Sequence, residues 1–336
     1  MIPFTWIEQA SQRIAGHIRK TPLTYDADLD LYIKWENHQL TGSFKVRGAF
    51  NRILSLKPWE LEGGLVAASA GNHGQGVALA GKMAHAVVTI FCSEHAVPLK
   101  IKAMQALGAE VRLIEGGYEE AEQAGIAYAK ARGAKWISPY NDGQIIAGQG
   151  TLGLEILEQL PSLPEATLIV PAGGGGLASG IGAAIKPAGA LHQSTLVQKA
   201  GTIGNVGSPG KISLIAVQSE ASPFLHALYY RGSQENINEL PSLADGLAGP
   251  VERGSLTIPL VKQLVDRFVL VSETEIAQAI AFAWRQYHEI IEGSAATTLA
   301  AVLSGKINNH PAVAVISGGN IQPEVHARIV SADRTL

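Results

Sequence analysis

In the stretch TGSFKVRGAF at residues 41–50, Lys45 stands between Phe44 and Val46, a setting that could yield an amine nucleophile. Apolar neighbours disfavour the ammonium and raise the fraction of reactive neutral amine. Ala49, Ile53 and Leu56 follow at helical spacing and predict a helix starting close to Lys45. The positive end of its dipole works in the same direction. Alone, such a lysine reads as an ordinary solvated surface charge.

Three glycine-rich stretches change that reading. GGGG at 173–176 lies between the apolar run ATLIVPA and the small-residue run LASGIGAAIK, so its N–H groups can cradle a phosphate at a helix start. The competing explanation is that helix and sheet pack too closely there for side chains. SAGNHG at 69–74 offers Ser69, Asn72 and His73 with backbone donors at another helix start, suited to a small carboxylate. SGGN at 317–320 places a neutral hydroxyl, Ser317, at the end of a strand. A lysine, a phosphate cradle, a carboxylate loop and a neutral hydroxyl are the parts of an amino-acid enzyme built around pyridoxal phosphate.

Other phosphate chemistries fit less well. Gly173-x-Gly175-x-x-Ala178 matches a loose dinucleotide fingerprint, yet no Asp or Glu occurs from Ala166 to Ser219 to hold a ribose. Gly76-x-x-x-x-Gly81-Lys82 begins like a P-loop, but Met83 stands where a hydroxyl must bind magnesium. No HExxH or comparable ligand cluster is present, and no metal site is expected. A nicotinamide oxidoreductase and an inactive binding protein of the same fold are the alternatives from other classes. The first would bind NAD and retain no yellow chromophore.

The elements that must position these residues alternate between strands and helices. Apolar runs at 65–68, 86–92 and 109–114 alternate with helical patterns at 77–84, 97–108 and 118–133, which makes 47–147 a small doubly wound unit. The remainder, 1–46 with 148–336, repeats the plan: helices at 5–19, 146–160, 177–186 and 273–288, and strands at 31–37, 166–172, 212–218, 267–272 and 312–320. The expected fold is therefore α/β, with two doubly wound open-sheet domains. Residues 187–211, rich in Gly, Pro and Ser, read as an extended surface insertion.

Composition sets outer bounds. The 336 residues are 46% hydrophobic and 16% charged, with 37 glycines, as in a compact α/β protein. A net charge of -3 gives no basic field for nucleic acid. Cys92 is the lone cysteine, and neither a signal peptide nor a membrane-spanning run is visible, so a cytoplasmic location is expected.

The motifs TGSFKVRGAF, ASAGNHGQGVALA, AGQGTLGLEIL, PAGGGGLASGI, ADGLAG and SGGN, in this order, resemble the serine/threonine dehydratase branch of the tryptophan-synthase-β-like, or fold type II, pyridoxal phosphate enzymes. The resemblance spans roughly 15–330. It implies Lys45 as the Schiff-base lysine with Phe44 flanking the ring, and Asn72 on the ring hydroxyl. It further implies Gly173, Gly174, Gly175, Gly176 and Leu177 around the phosphate, and Ser317 facing the pyridine nitrogen. Ser69, Ala70, Gly71 and His73 would lie in the loop that receives the substrate carboxylate. The implied reaction is dehydration and deamination of a β-hydroxy amino acid, L-threonine or L-serine, to a 2-oxo acid and ammonia. Serine racemase and 3-hydroxyaspartate dehydratase are alternatives within the branch. Relatives that racemise serine carry a serine at the position of Ala70, which has no proton to transfer, so elimination is preferred. Gln218 replaces the acid of relatives that bind a divalent ion, which argues against such a requirement here. Glu292 falls where the family often has an acid near the cofactor; capping of a buried helix is the other reading. A homodimer or higher homo-oligomer is the expected assembly, and with no regulatory domain after 336, isoleucine feedback is not expected.

Overall fold

The computed structural model describes residues 1–161, 165–186, 211–309 and 311–333. Helix α1 (Phe4–Ile14) buries Ile7, Ala10 and Ile14, the stripe the spacing predicts. It stops at Ile14 rather than 19 because the chain turns at Gly16, whose φ is +81°. Strands β1 (Leu23–Asp26) and β2 (Leu31–Trp35) form an antiparallel pair and lead into α2 (Lys45–Leu54) and the short α3 (Pro58–Glu62). Strands β3 (Leu65–Ala68), β4 (Val88–Ser93), β5 (Glu110–Ile114) and β6 (Lys135–Trp136) then alternate with α4 (Asn72–Met83), α5 (Pro98–Ala106) and α6 (Tyr118–Arg132). These strands pair in parallel in the order β5-β4-β3-β6.

The chain leaves this smaller sheet through α7 (Gly143–Gln159) and continues as β7 (Glu165–Pro171), α8 (Gly176–Ile185), β8 (Lys211–Ser219) and α9 (Phe224–Arg231). It ends with α10 (Thr257–Leu264), β9 (Arg267–Val271), α11 (Glu273–Tyr287), α12 (Gly293–Leu303), β10 (Ala312–Ile316) and α13 (Pro323–Ala332). The larger sheet has the order β1-β2-β10-β7-β8-β9 and is parallel except at β1. Strand β10 is buried along its whole length, as a parallel strand covered on both faces must be. Val313 and Val315 join the core beneath α1, α7 and α8, while Ala312, Ala314 and Ile316 join the one beneath α11 and α12.

In open α/β sheets, ligand sites form beyond the carboxyl ends of the strands. GGGG follows β7, SGGN follows β10, and the segment reaching Lys45 follows β2, three strands adjacent in the larger sheet. SAGNHG leaves β3, an inner strand of the smaller sheet. Topology alone thus gathers residues that are far apart in sequence. The expected domain boundaries after 46 and 147 fall inside α2 and α7, and the expected insertion at 187–211 lies outside the described residues except for Lys211, where β8 begins. Short stretches such as β1, β6, α9 and α10 lie outside the sequence-predicted elements; their few residues carry too little periodicity to stand out.

Candidate active site

The loop before Lys45 is stitched to the loop after β10. Ser43 pairs with Gly318 in an antiparallel bridge, Phe44 N donates to Ser317 O at 3.0 Å, and Gly319 N donates to Gly42 O at 2.9 Å. Lys45 is the first residue of α2, where the sequence places it. Its Nζ donates to the Pro139 carbonyl at 3.0 Å and lies 5.4 Å from the centre of the Phe44 ring. Burial pulls the amine down to about 8, against the opposing pull of the Glu292 charge.

A buried ion cluster anchors the helix that carries this lysine. Arg47 donates to both oxygens of Glu36 at 2.7 Å and to Glu155 at 2.9 Å, and Lys34 donates to Glu155 at 2.6 Å. Arg47, Glu36 and Lys34 are shielded from water. Two cations against two carboxylates leave the cluster balanced, and Arg47 fixes the first turn of α2 against the turn after β2 and against α7.

At the SAGNHG loop the helix begins at Asn72, not at Val77 as the glycine pattern predicts. The glycines in its early turns are there for close packing. A Cβ on Gly76 would approach the Val46 backbone to 3.3 Å, and one on Gly74 would collide with Met104 Sδ at 2.3 Å. Ser69 Oγ accepts the Gly71 N–H at 3.1 Å, and Cys92 Sγ donates to the Ser69 carbonyl at 2.9 Å. Burial pushes the Cys92 thiol up to about 11, so it remains a structural donor beneath the loop. Ala70 is exposed. His73 turns inward: its Nε2 bonds the Ile137 carbonyl at 2.9 Å, which requires the proton on that nitrogen. Burial, with the Lys45 charge in support, holds the imidazole down to about 3, so it is neutral. What His73 can offer a carboxylate is its backbone N–H in the first helical turn.

Asn72 joins this loop to the other half of the site. Its Nδ2 donates to Glu292 Oε1 at 2.7 Å, and its Oδ1 accepts from Asn320 Nδ2 at 2.7 Å. The amide is thereby oriented, and only one of its two N–H donors is taken by Glu292. Glu292 is buried at the N-cap position of α12, yet its carboxylate makes no cap bond, so the capping reading fails. Burial pushes that carboxyl up to about 7 and Asp245 adds to the effect, opposed by the Asn72 bond and Lys100.

The GGGG loop has a packing reason as well as a binding one. A Cβ on Gly174 would lie 2.5 Å from the Tyr140 ring, one on Gly173 would lie 2.9 Å from Leu247 Cα, and Gly175 has a φ of +84°. Packing therefore explains the missing side chains, as the competing reading holds. It does not explain why α8 starts at Gly176 with no side chain capping its first N–H groups. The first N–H groups of a helix have no partner within it, and such a start after a glycine loop suits an anion. Tyr140 lies in no motif, and Asn320, although it closes SGGN, is given its partner Asn72 only by folding. Ser317 is buried at the end of β10, directly joined to the Lys45 loop through its carbonyl.

A lysine amine lowered to about 8, whose acceptor Pro139 directly precedes the Tyr140 that packs on the GGGG loop, is an arrangement suited to a phosphorylated aldehyde cofactor. The model of the pyridoxal-phosphate dependent enzyme family matches residues 14–318. The chain belongs to this family. It is 39% identical to an L-threonine ammonia-lyase of Thermotoga maritima, covering 98% of this chain and 79% of that protein. It is 38% identical to a catabolic L-threonine dehydratase of Staphylococcus aureus, covering 94% of this chain and 88% of the relative. Among solved structures, threonine deaminase isoform 2 of Solanum lycopersicum superposes with a TM-score of 0.82 at 29% identity, over 98% of this chain and 92% of that one. Serine racemase of Dictyostelium discoideum gives 0.80 at 33% identity, over 96% and 99%. The family is the expected one, fold type II and its serine/threonine dehydratase branch, and pyridoxal phosphate is its cofactor. Among the described residues no helix is long and apolar enough to cross a membrane.

Proposed function

We propose that this enzyme is a threonine/serine ammonia-lyase, which eliminates water from a β-hydroxy amino acid and releases a 2-oxo acid and ammonia. The observation that carries the reading is the Lys45 amine, lowered to about 8, on a segment bonded to the SGGN turn and donating to Pro139, the neighbour of the Tyr140 that packs on GGGG. The identity to threonine ammonia-lyases along nearly the whole chain supports L-threonine as the first substrate to test, with L-serine beside it.

Pyridoxal phosphate, when bound, supplies an electron sink conjugated to the substrate Cα. In this reading the N–H groups from Gly173 to Leu177 hold its phosphate, Phe44 flanks the ring, and Asn72 directs its remaining N–H to the ring hydroxyl. Ser317 presents a neutral hydroxyl to the pyridine nitrogen, which does not enforce ring protonation as an aspartate would. Lys45 Nζ removes the Cα proton, a task suited to an amine whose pKa lies close to working pH. Ser69, Ala70, Gly71 and the His73 backbone receive the substrate carboxylate. Ala70 provides no group to reprotonate the opposite face, so elimination outpaces racemisation. The stretch 47–147 acts as a small domain bearing that loop, and the remainder acts as the cofactor domain. The assembly is a homodimer or higher homo-oligomer in the cytoplasm.

The test is a panel of L-threonine, L-serine and 3-hydroxyaspartate, following 2-oxo acid and D-serine with wild type and Lys45→Ala. Oxo acid from threonine or serine by wild type alone is the expected result. Undiminished turnover in Lys45→Ala, or D-serine formed as fast as pyruvate, contradicts the reading.

A further inference from the structure

The substrate loop has a cation of its own beside it. Lys100, on α5, sends its ammonium to Asp245 Oδ2 at 3.1 Å. The same Nζ lies 3.9 Å from where a Cβ on Gly71 would stand. Its side chain is 19% exposed, whereas that of Asp245 is 64% exposed, so the lysine is the sheltered partner and the aspartate the one that water can solvate after separation.

The two residues come from opposite halves of the structure. Helix α5 belongs to the smaller sheet, and Met104 is the one residue it buries among the described core, packed under Gly74. A helix so lightly anchored can shift by the small distance that a change of ion partner requires. Asp245 lies in the ADGLAG loop, which the larger half holds through Gly246 N donating to Ser294 Oγ at 3.0 Å. Ser294 is two residues beyond Glu292, so the ion pair ends beside the carboxylate that orients Asn72.

We propose that Lys100 is a specificity-determining residue for the α-carboxylate of the substrate, with Asp245 as the partner that holds its ammonium in place until the carboxylate arrives. The inference rests on the reading of residues 69–73 as the carboxylate loop. An exposed aspartate regains hydration when it gives up the ammonium, so the exchange of one carboxylate for another costs little. Lys100 supplies the full positive charge that the backbone donors of the loop lack, and it discriminates between amino acids and plain amines.

The experiment measures equilibrium binding of L-alanine, which has no β-leaving group, and of ethylamine, its decarboxylated counterpart, to the holoenzyme by calorimetry and by the cofactor absorbance. Wild type should favour alanine. Lys100→Met should weaken alanine about ten- to a hundredfold, the range of a charge-assisted hydrogen bond, and leave ethylamine unaffected. Lys100→Arg should restore most of the loss, and Asp245→Asn, which frees the ammonium, should bind alanine at least as tightly as wild type. Equal weakening of both probes in Lys100→Met, or none, overturns the proposal, and so does weaker alanine binding in Asp245→Asn. A wild type that binds ethylamine as well as alanine refutes the carboxylate loop and Lys100 together, while leaving the Lys45 reading to the oxo acid panel.

Discussion

Asn72 Nδ2 lies 2.7 Å from Glu292 Oε1, a hydrogen bond that ties the start of α4 on the smaller sheet to the start of α12 against the larger one. Because Glu292 is buried and its pKa is raised to about 7 from 4.5, the native state keeps a proton that the unfolded chain releases. In that window the native state binds more protons, so this group makes stability fall as pH rises from about 4.5 to about 7. Glu292→Gln retains an acceptor for Asn72 and removes the titration. Denaturant unfolding of the holoenzyme should show the variant gaining on wild type between pH 5 and pH 8 by about 2–3 kcal/mol.

Lys45 shifts the opposite way for a base. The native amine loses its proton near 8 while an ordinary lysine keeps it to about 10.5, so at neutral pH its neutral fraction exceeds that of other lysines. The excess is on the order of 10²-fold. In cofactor-free protein, acylation followed by peptide mapping should mark Lys45 first, with a midpoint close to 8. Lys45→Ala should lower 2-oxo acid release at least about 10²–10⁴-fold, the size of a lost general base.

Gly174→Ala should be poorly tolerated, because the new Cβ would stand 2.5 Å from the Tyr140 ring. Overpacking of this kind costs about 1–3 kcal/mol, and displacement of the loop should also release the cofactor. Tyr140→Phe keeps the ring and loses only the hydroxyl that accepts Glu252 N at 2.9 Å, so its cost should be about 1 kcal/mol. Thermal melts and retained cofactor absorbance would separate the two. Similar behaviour of both variants would contradict the packing account.

Arg47→Met would leave Glu36 buried without its bidentate partner. Removing one member of a buried ion cluster costs about 3–5 kcal/mol. The double variant Arg47→Met with Glu36→Met should recover part of that loss, measured by denaturant midpoint. A single variant as stable as wild type would show that the cluster contributes nothing to holding α2.

The chemistry was legible in the sequence wherever a short run carries both its residues and their local geometry. Lys45 with its apolar flanks, GGGG before a small-residue helix, SAGNHG after LVAA, and SGGN after AVAVI each declare a strand end, a turn and a helix start within about ten residues. The alternation of those strands and helices was enough for the α/β class, since parallel strands require crossover helices. The same local view misjudged the start of α4 at Asn72: glycines at 74 and 76 look like turn residues, and only the Val46 backbone and Met104 pressed against them explain their place in a helix.

What tertiary structure decided is which distant groups meet, and in what charge state. The ring of Tyr140 covers the GGGG loop, Asn320 and Glu292 fix the Asn72 amide, and His73 faces Ile137 rather than the loop it belongs to. Lys100 and Asp245, 145 residues apart, form a pair beside Gly71. None of these contacts has a local signal, because they arise where loops from the carboxyl ends of separate strands converge. Residue type sets which groups can ionise, but burial and neighbours set the proton affinity, and both exist only after the two sheets have packed. For Lys45 the sequence determined an amine in an apolar setting, and the fold made it an amine of pKa about 8.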